Sequence, residues 1–333
     1  MRYFGSKGTS VDQILGLIFP MATTGSLCDP FGGIGVVGSY FKSKGYAVTT
    51  GDILNFPHCF QIAKIKLNKI PDFIKLLKAY NLSSFDDLSV VVENDESCKE
   101  CWFVEDFSRK RNFFTISNAI KIQRWMVNIK KWHDTQMVDE LEKSFLLASL
   151  INSMDNVANT AGTYYAYLKD FSRKAVRPFK FIFLMPVFSN EECECFRVDA
   201  ATLLAKKTYD IVYLDPPYNE RNYAGYYHLP ETIANGEVPI STGKSGIPFG
   251  ARSYSLFNRR ETVAQALETL IEVVNCNVLA FHYADNGLLK DTDIMDIMSV
   301  KGSVARHRID SKGYTTNNMS RTVHTTLYMV SNA

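Results

Sequence analysis

Tyr209-Asp210-Ile211-Val212-Tyr213-Leu214-Asp215-Pro216-Pro217-Tyr218 is a short β-branched and aromatic run that stops at two prolines. Such a run reads as a strand buried on both faces. Proline lacks an N–H and fixes φ, so the ladder of backbone hydrogen bonds ends there. Asp215 is thereby placed at the carboxyl end of a strand, on a rigid turn, with an aromatic ring three residues on. In open α/β sheets, ligands bind at that end of the strands. The turn suits attack by an exocyclic amine, whose lone pair is delocalised into its ring. A carboxylate (Asp215) and a carbonyl (Pro216) can accept its two N–H bonds and localise the lone pair. Tyr218 can stack on the base, an interaction worth about 1–3 kcal/mol. A strand followed by a proline turn with a solvated Asp is the plainer reading of the same residues.

Working back toward the N-terminus, Ser26-Leu27-Cys28-Asp29-Pro30-Phe31-Gly32-Gly33-Ile34-Gly35-Val36-Val37-Gly38 reads as a short strand, a glycine turn and the start of an apolar helix. Gly33-x-Gly35-x-x-Gly38 matches the dinucleotide fingerprint. Two ligands fit such a turn. A nicotinamide cofactor would rest its pyrophosphate on the helix N-terminus. A cofactor without phosphate would need the glycines only for close backbone approach. The Asp29-Pro30-Phe31 lead-in favours the second, because a carboxylate repels pyrophosphate and suits an amino-acid ammonium group. Val48 to Ile53 reads as the next strand, so Asp52 would take ribose hydroxyls and Ile53 would pack on a base edge. Further on, Asp199 follows Cys195-Phe196-Arg197-Val198 at a strand end and can accept from an exocyclic amine of the cofactor.

A chain of 333 residues makes one large α/β domain with an insertion, or two domains. No apolar run approaches the ~18 residues a membrane helix needs, and the N-terminus lacks a signal-peptide core. The odd, scattered set of 7 cysteines then reads as reduced thiols in a cytoplasmic protein. Cys98, Cys101, Cys193 and Cys195 have unequal spacings across a long gap, so no metal site is expected. The net charge of +2 excludes a histone-like polycation but not local nucleic-acid contacts.

Residues 60–145 change to helical periodicity and read as an insertion, with Ile116, Ile120, Trp125, Ile129 and Trp132 on one apolar face. Residues 1–59 and 146–333 would form the catalytic domain. Residues 93–106 read as a surface loop, Arg109-Lys110-Arg111 as a solvated basic run, and 140–158 as a helix. Lys169, Arg173, Lys174, Arg177 and Lys180 face a single acid, Asp170, and form the best local candidate for phosphate contacts. Phe179 to Val187 reads as a strand, and 219–234 as a tyrosine-rich loop lining a base pocket. Residues 236–260, with Lys244, Arg252 and Tyr254, read as a mobile loop near the active site. The segment 278–283 reads as a buried strand and 301–330 as a terminal antiparallel hairpin.

With both motifs in view, the chain resembles the adenine-specific DNA methyltransferases of the α group, the Dam-like and FokI-type modification enzymes. The resemblance rests on RYFGSK at 2–7, DPFGGIG at 29–35, NVANTAG at 156–162 and DPPYNERNYAGYYHLPETIA at 215–234. It covers most of the chain and keeps the group's order of motifs. It implies a Rossmann-like methyltransferase sheet with helices on both faces, a reversed C-terminal hairpin and a mainly helical insertion that carries target recognition. The implied cofactor is S-adenosylmethionine. Tyr3 and Lys7 match the N-terminal motif that touches it. Asp29, Pro30, Phe31, Gly33 and Gly35 match the methionine-side turn, Asp52 and Ile53 the ribose and base contacts, and Asp199 the adenine acceptor. Asp215, Pro216, Pro217 and Tyr218 match the catalytic motif. The implied reaction is direct methyl transfer to a flipped adenine N6 in double-stranded DNA, with no metal. The implied partners are that DNA and a cognate restriction endonuclease, with the chain a monomer or weak dimer. Cytosine N4, RNA or a protein glutamine are the alternative acceptors. The group's second glycine is replaced by Ser6, and His282-Tyr283 stands where Ser-Tyr is expected.

Overall fold

The computed structural model describes residues 1–95, 101–249, 255–312 and 322–331. The chain folds as two compact units, one comprising Gly5–Ile53, Val187–Asn222 and Tyr254–Ala333, the other Met1–Phe4, Leu54–Pro186 and Tyr223–Ser253. The second unit is wider than the insertion expected at 60–145, because the chain returns to it at 146–186 and 223–253.

The first unit is built on a seven-stranded sheet. Its strands, labelled here in chain order, are β1 (Ser26–Asp29), β2 (Ala47–Gly51), β3 (Glu194–Phe196) and β4 (Tyr209–Leu214), then β5 (Cys276–Ala284), β6 (Ala305–Lys312) and β7 (Thr322–Ser331). The spatial order is β3-β2-β1-β4-β5-β7-β6. The first five positions are parallel, and β7 runs antiparallel to both β5 and β6. This is the expected Rossmann-like α/β sheet with a reversed terminal hairpin. The connecting residues 313–321 lie outside the described residues.

Helices Ala200–Leu204, Val263–Val273 and Asp291–Ser299 bury their apolar faces against Val212, Leu214, Leu279, Phe281 and Val330. The alternating residues Leu27, Ile211, Tyr213, Val278 and Ala280 are buried as well. A strand covered on both faces needs continuous apolar sequence, which is why β4 and β5 show no polar alternation. At the amino ends, Asp210 Oδ2 accepts from the Ser26 N–H and hydroxyl at 2.8 Å each, and Asp210 Oδ1 accepts from Asn277 at 3.1 Å. This ties β1, β4 and β5 together. Gly25 has φ +125°, and a Cβ there would lie 2.6 Å from that carboxylate, so the turn into β1 requires glycine.

The second unit is helical. Its longest helices are Ile116–Asp134, capped by Thr115, and Glu140–Asp155, which opens with a capping box between Asp139 and Glu142. On the first, the buried face is Asn118, Ala119, Ile122, Gln123, Trp125, Asn128, Ile129 and Trp132. Ile116 lies exposed, and three buried amides take the places a hydrophobic pattern leaves unassigned. The described residues 101–106 are less loop-like than expected. Trp102–Val104 continues into a wider, π-type turn over Glu105–Arg109, because Phe103, Val104 and Phe107 bury themselves. Residues 96–100, including Cys98, lie outside the described residues.

The segment Phe179–Val187 is not a strand. Three of its backbone N–H groups are taken by helix side chains instead of a sheet neighbour. Phe179 donates to Asn118 Oδ1 at 2.8 Å, Ile182 to Ser153 Oγ at 2.8 Å, and Leu184 to Ser149 Oγ at 3.1 Å. Trp125 stacks on Phe181 with centroids 3.6 Å apart. Asn118 also donates to the carbonyls of Ala175 at 3.2 Å and Arg177 at 2.8 Å. Asn118→Ala is expected to destabilise the protein by about 2–4 kcal/mol, since it strands buried backbone groups. Chemical denaturation checks this; an unchanged midpoint would show that the segment is held by its aromatics alone.

The tyrosine-rich stretch is also helical, as Tyr223–Tyr226 and His228–Asn235. Glu231 fixes the start of helix Asn55–Gln61 by accepting from the backbone of Asn55 and Phe56 at 2.9 Å. Within 236–260, Ser241–Thr242 pairs with Ile247–Pro248, and Arg111 donates to the carbonyls of Gly243 (3.1 Å) and Lys244 (3.2 Å). Arg252 and Tyr254 lie outside the described residues. No helix among the described residues is long and apolar enough to cross a membrane.

Candidate active site

The candidate site lies in the sheet unit, at the carboxyl ends of β1, β2 and β4. Strand order reverses between β1 and β4, the switch point at which open α/β sheets bind ligands. Asp29 ends β1 and Asp215 follows β4.

The glycine turn explains its own composition. Gly33 has φ +49° and Gly35 has φ +74°, left-handed values that residues with a Cβ rarely adopt. Gly35 caps the Val36–Ser43 helix, and its N–H reaches the Gly32 carbonyl at 2.8 Å. Gly32 donates to the Gly51 carbonyl at 2.9 Å, which moors the turn to the end of β2. Phe31 meets Phe257 edge-on at 5.5 Å. Asp52 is half-buried next to exposed Ile53, and its N–H bonds the Phe196 carbonyl at 3.2 Å.

Asp29 is buried, at 2% exposure, and its Oδ1 has no hydrogen-bond partner. Burial pushes its carboxyl up to about 8, and the Asp215 carboxylate adds to the shift. The Phe31 N–H and Lys7 pull the other way, while Asp52 adds to the rise. A buried acid with an unused oxygen asks for a cation or a donor. An ammonium group completes it, whereas a pyrophosphate would add charge of the same sign.

Lys7 is the cation of the cluster. Its Nζ lies 2.6 Å from Asp215 Oδ1 and 2.5 Å from Oδ2, and 3.1 Å from the Gly5 carbonyl. The Asp215 side chain keeps only 17% exposure and that of Lys7 10%. Burial raises the Asp215 carboxyl above its ordinary range, and Lys7 opposes the rise by charge and by hydrogen bond. Tyr218 stands edge-on to Tyr283 at 6.3 Å and accepts from the Leu288 N–H at 3.0 Å. Behind the turn, His282 bridges the Tyr213 hydroxyl and Thr325 Oγ1 at 2.7 Å each. Burial drives this imidazole far below its usual range, so it is neutral.

Asp29, Asp52, Asp215 and Lys7 thus share one electrostatic neighbourhood. Asp199 stands apart from it. It is exposed and caps the Ala200–Leu204 helix, accepting from the Thr202 N–H at 2.9 Å and from the Thr202 hydroxyl. Tyr3 belongs to the helical unit, stacked on Tyr227 at 5.0 Å and tilted against Phe56. Sequence reasoning did not anticipate the Lys7–Asp215 pair or Asn258. The Asn258 amide donates to the carbonyls of Asn219 at 2.7 Å and Arg221 at 3.0 Å, fixing the chain after the proline turn. A lone Asn forty residues away carries no local signal of that role. Of the cysteines considered as metal ligands, Cys193 is buried, Cys195 half-buried and Cys101 exposed.

Residues 3–255 match the family model described as D12 class N6 adenine-specific DNA methyltransferase. Curated relatives include the type II methyltransferase M.FokI of Planomicrobium okeanokoites, 33% identical over 322 residues, covering 94% of this chain and 49% of the relative. The modification methylase StsI of Streptococcus sanguinis is 30% identical, covering 96% of this chain and 50% of the relative. The type II methyltransferase M.NlaIII of Neisseria lactamica is 28% identical, covering 89% of this chain and 87% of the relative. The chain spans about half the length of the first two.

Proposed function

The chain belongs to the D12 class of N6 adenine-specific DNA methyltransferases, and from that premise we propose that it methylates adenine N6 at a short recognition sequence in double-stranded DNA. The observation that carries the reading is the buried carboxylate pair at the switch point. Asp29 has an unsatisfied oxygen, and Asp215 sits on a proline turn a strand away. S-adenosylmethionine supplies an electrophilic methyl group on a sulfonium, together with an ammonium of the kind that Asp29 lacks.

Asp29 holds the ammonium, with the Gly33–Gly35 backbone close against the amino-acid end. Asp52 takes the ribose hydroxyls, and Phe31 and Ile53 border the ligand. Asp199 completes the proposed cofactor contacts within the sheet unit. The target adenine leaves the stack, at a cost of about a few kcal/mol. Asp215 accepts one N6–H and the Pro216 carbonyl accepts the other. The N6 lone pair would form the N–C bond as the S–C bond of the sulfonium breaks, and the N6 proton would pass through the Asp215 carboxylate to solvent. Pro217 keeps the turn rigid and Tyr218 stacks on the base. The helical unit carries target recognition, and a restriction endonuclease of the same specificity is the partner class.

Lys7 holds Asp215 ionised and oriented. Removing it deepens the effect of burial, so the Asp215 carboxyl rises further and takes up a proton at higher pH. Lys7→Met is expected to move the acid limb of the kcat/KM profile upward by about 1–3 pH units, with Lys7→Arg partly restoring it. An unmoved limb would remove the ion pair from the reaction.

The test of the function is methylation-sensitive sequencing of DNA from a host that expresses the chain. N6-methyladenine at one short motif is expected. N4-methylcytosine, or no modified base in a host where the chain is folded, would overturn the reading.

A further inference from the structure

The helical unit holds an open cavity of about 520 Å³ whose wall includes Arg2, Asp155, Lys174, Arg177 and Lys180. Four cations stand against a single carboxylate. That carboxylate is committed to the fold, because Asp155 accepts from the Arg2 N–H at 3.1 Å and from the Tyr164 hydroxyl at 3.2 Å. None of the four cationic side chains has a carboxylate within ion-pair distance among the described residues. Burial pushes the Lys174 ammonium below its ordinary range, with Asp155 opposing and the positive charge of Arg2 adding to the effect. Crowding of like charge without a partner raises the free energy of the empty site, and an anion relieves it.

The strip is also rigid. It runs over irregular backbone, yet each stretch is pinned by a buried side chain. Asn159 Oδ1 accepts from the Ser172 N–H at 3.0 Å, and Asn118 holds the Ala175 and Arg177 carbonyls and the Phe179 N–H. Ser153 holds the Ile182 N–H. Cations on a fixed backbone meet an anion with little ordering cost. The neighbouring basic triplet differs in this respect. Lys110 pairs with Asp106 at 3.2 Å, Arg109 reaches Glu105 at 3.9 Å, and Arg111 is spent on backbone carbonyls.

We propose that this cavity, through Arg2, Lys174, Arg177 and Lys180, binds the phosphate backbone of duplex DNA and anchors the helical unit on it. The proposal rests on the reading of DNA as the acceptor. Phosphate contacts of this kind position a protein without reading sequence. They release counterions, so each contributes about one to the slope of log affinity against log salt.

The test is the salt dependence of binding to a short mixed-sequence duplex, with the parent and Lys174→Gln/Arg177→Gln/Lys180→Gln compared. The triple variant is expected to bind more weakly at low salt, with a slope shallower by about three; Lys180→Gln alone lowers it by about one. The Kd for S-adenosylmethionine, measured on the same preparations, reports whether the fold is kept. Parent-like slope and affinity in the variants would overturn the proposal while methylation of DNA stood. A parent that binds the duplex but never methylates it would sink the functional reading instead, and the slopes would still decide this site.

Discussion

Asp29→Asn is expected to weaken S-adenosylmethionine binding about 10- to 150-fold while stabilising the cofactor-free protein at neutral pH. The first effect follows from losing a charged hydrogen bond to an ammonium, worth about 1.5–3 kcal/mol. The second follows from burial. Asp29 is held at about 8 when folded, mainly by desolvation. The folded chain therefore keeps a proton that the unfolded chain has released. A raised carboxyl contributes fully below its unfolded value near 4, and that contribution falls as pH rises to about 8. The denaturation midpoint of the cofactor-free parent should accordingly drop across that window, and Asn at 29 should flatten the drop. Saturating S-adenosylmethionine should reverse the parent's trend, because its ammonium neutralises the ionised form. Midpoints against pH, with and without ligand, check all three. A variant that binds the cofactor as the parent does would take Asp29 out of the site.

Asp215→Ala is expected to lower methyl transfer by about 1,000-fold or more and to leave the Kd for S-adenosylmethionine within a few-fold. The loss arises because one of two acceptors for the amine is gone, so the lone pair stays in the ring. The substitution also leaves the Lys7 ammonium buried without its counter-charge, and breaking such a pair costs about 3–5 kcal/mol. Asp215→Asn separates these effects, since it keeps the shape of the side chain and can still accept one hydrogen bond. Rapid-quench transfer and equilibrium cofactor binding on the same preparations give the answer. Equal losses in both would place Asp215 with the cofactor and not with the chemistry.

The parts of the fold that announce themselves in sequence are those where chain-local physics decides. An apolar run ending in Pro216 and Pro217 can only be a buried strand with a stop, and β4 is that strand. Gly33 and Gly35 form the glycine turn read there, with left-handed backbone at both. The sheet order then brings Asp29, Asp52 and Asp215 to neighbouring strand ends, as the motifs implied. What sequence could not supply was set by distant partners. Phe179 to Val187 has strand composition, but Asn118, Ser149 and Ser153 take its N–H groups before any strand can. The tyrosines after the proline turn formed helices because Tyr227 is buried against Tyr3 and Phe56. Asp199 had the right place at a strand end, yet a helix cap is an equally local use of the same carboxylate. The pairing of Lys7 with Asp215 spans more than two hundred residues and leaves no periodicity to read.

The central claim, that the turn after β4 methylates adenine in DNA, meets its most direct test in one transfer experiment with the purified chain. Labelled S-adenosylmethionine is incubated with unmethylated duplex DNA, and the nucleosides are then separated. Label confined to N6-methyl-2′-deoxyadenosine is the predicted result. Label in a methylated deoxycytidine, or a protein that binds the cofactor but leaves the DNA unlabelled, would contradict it.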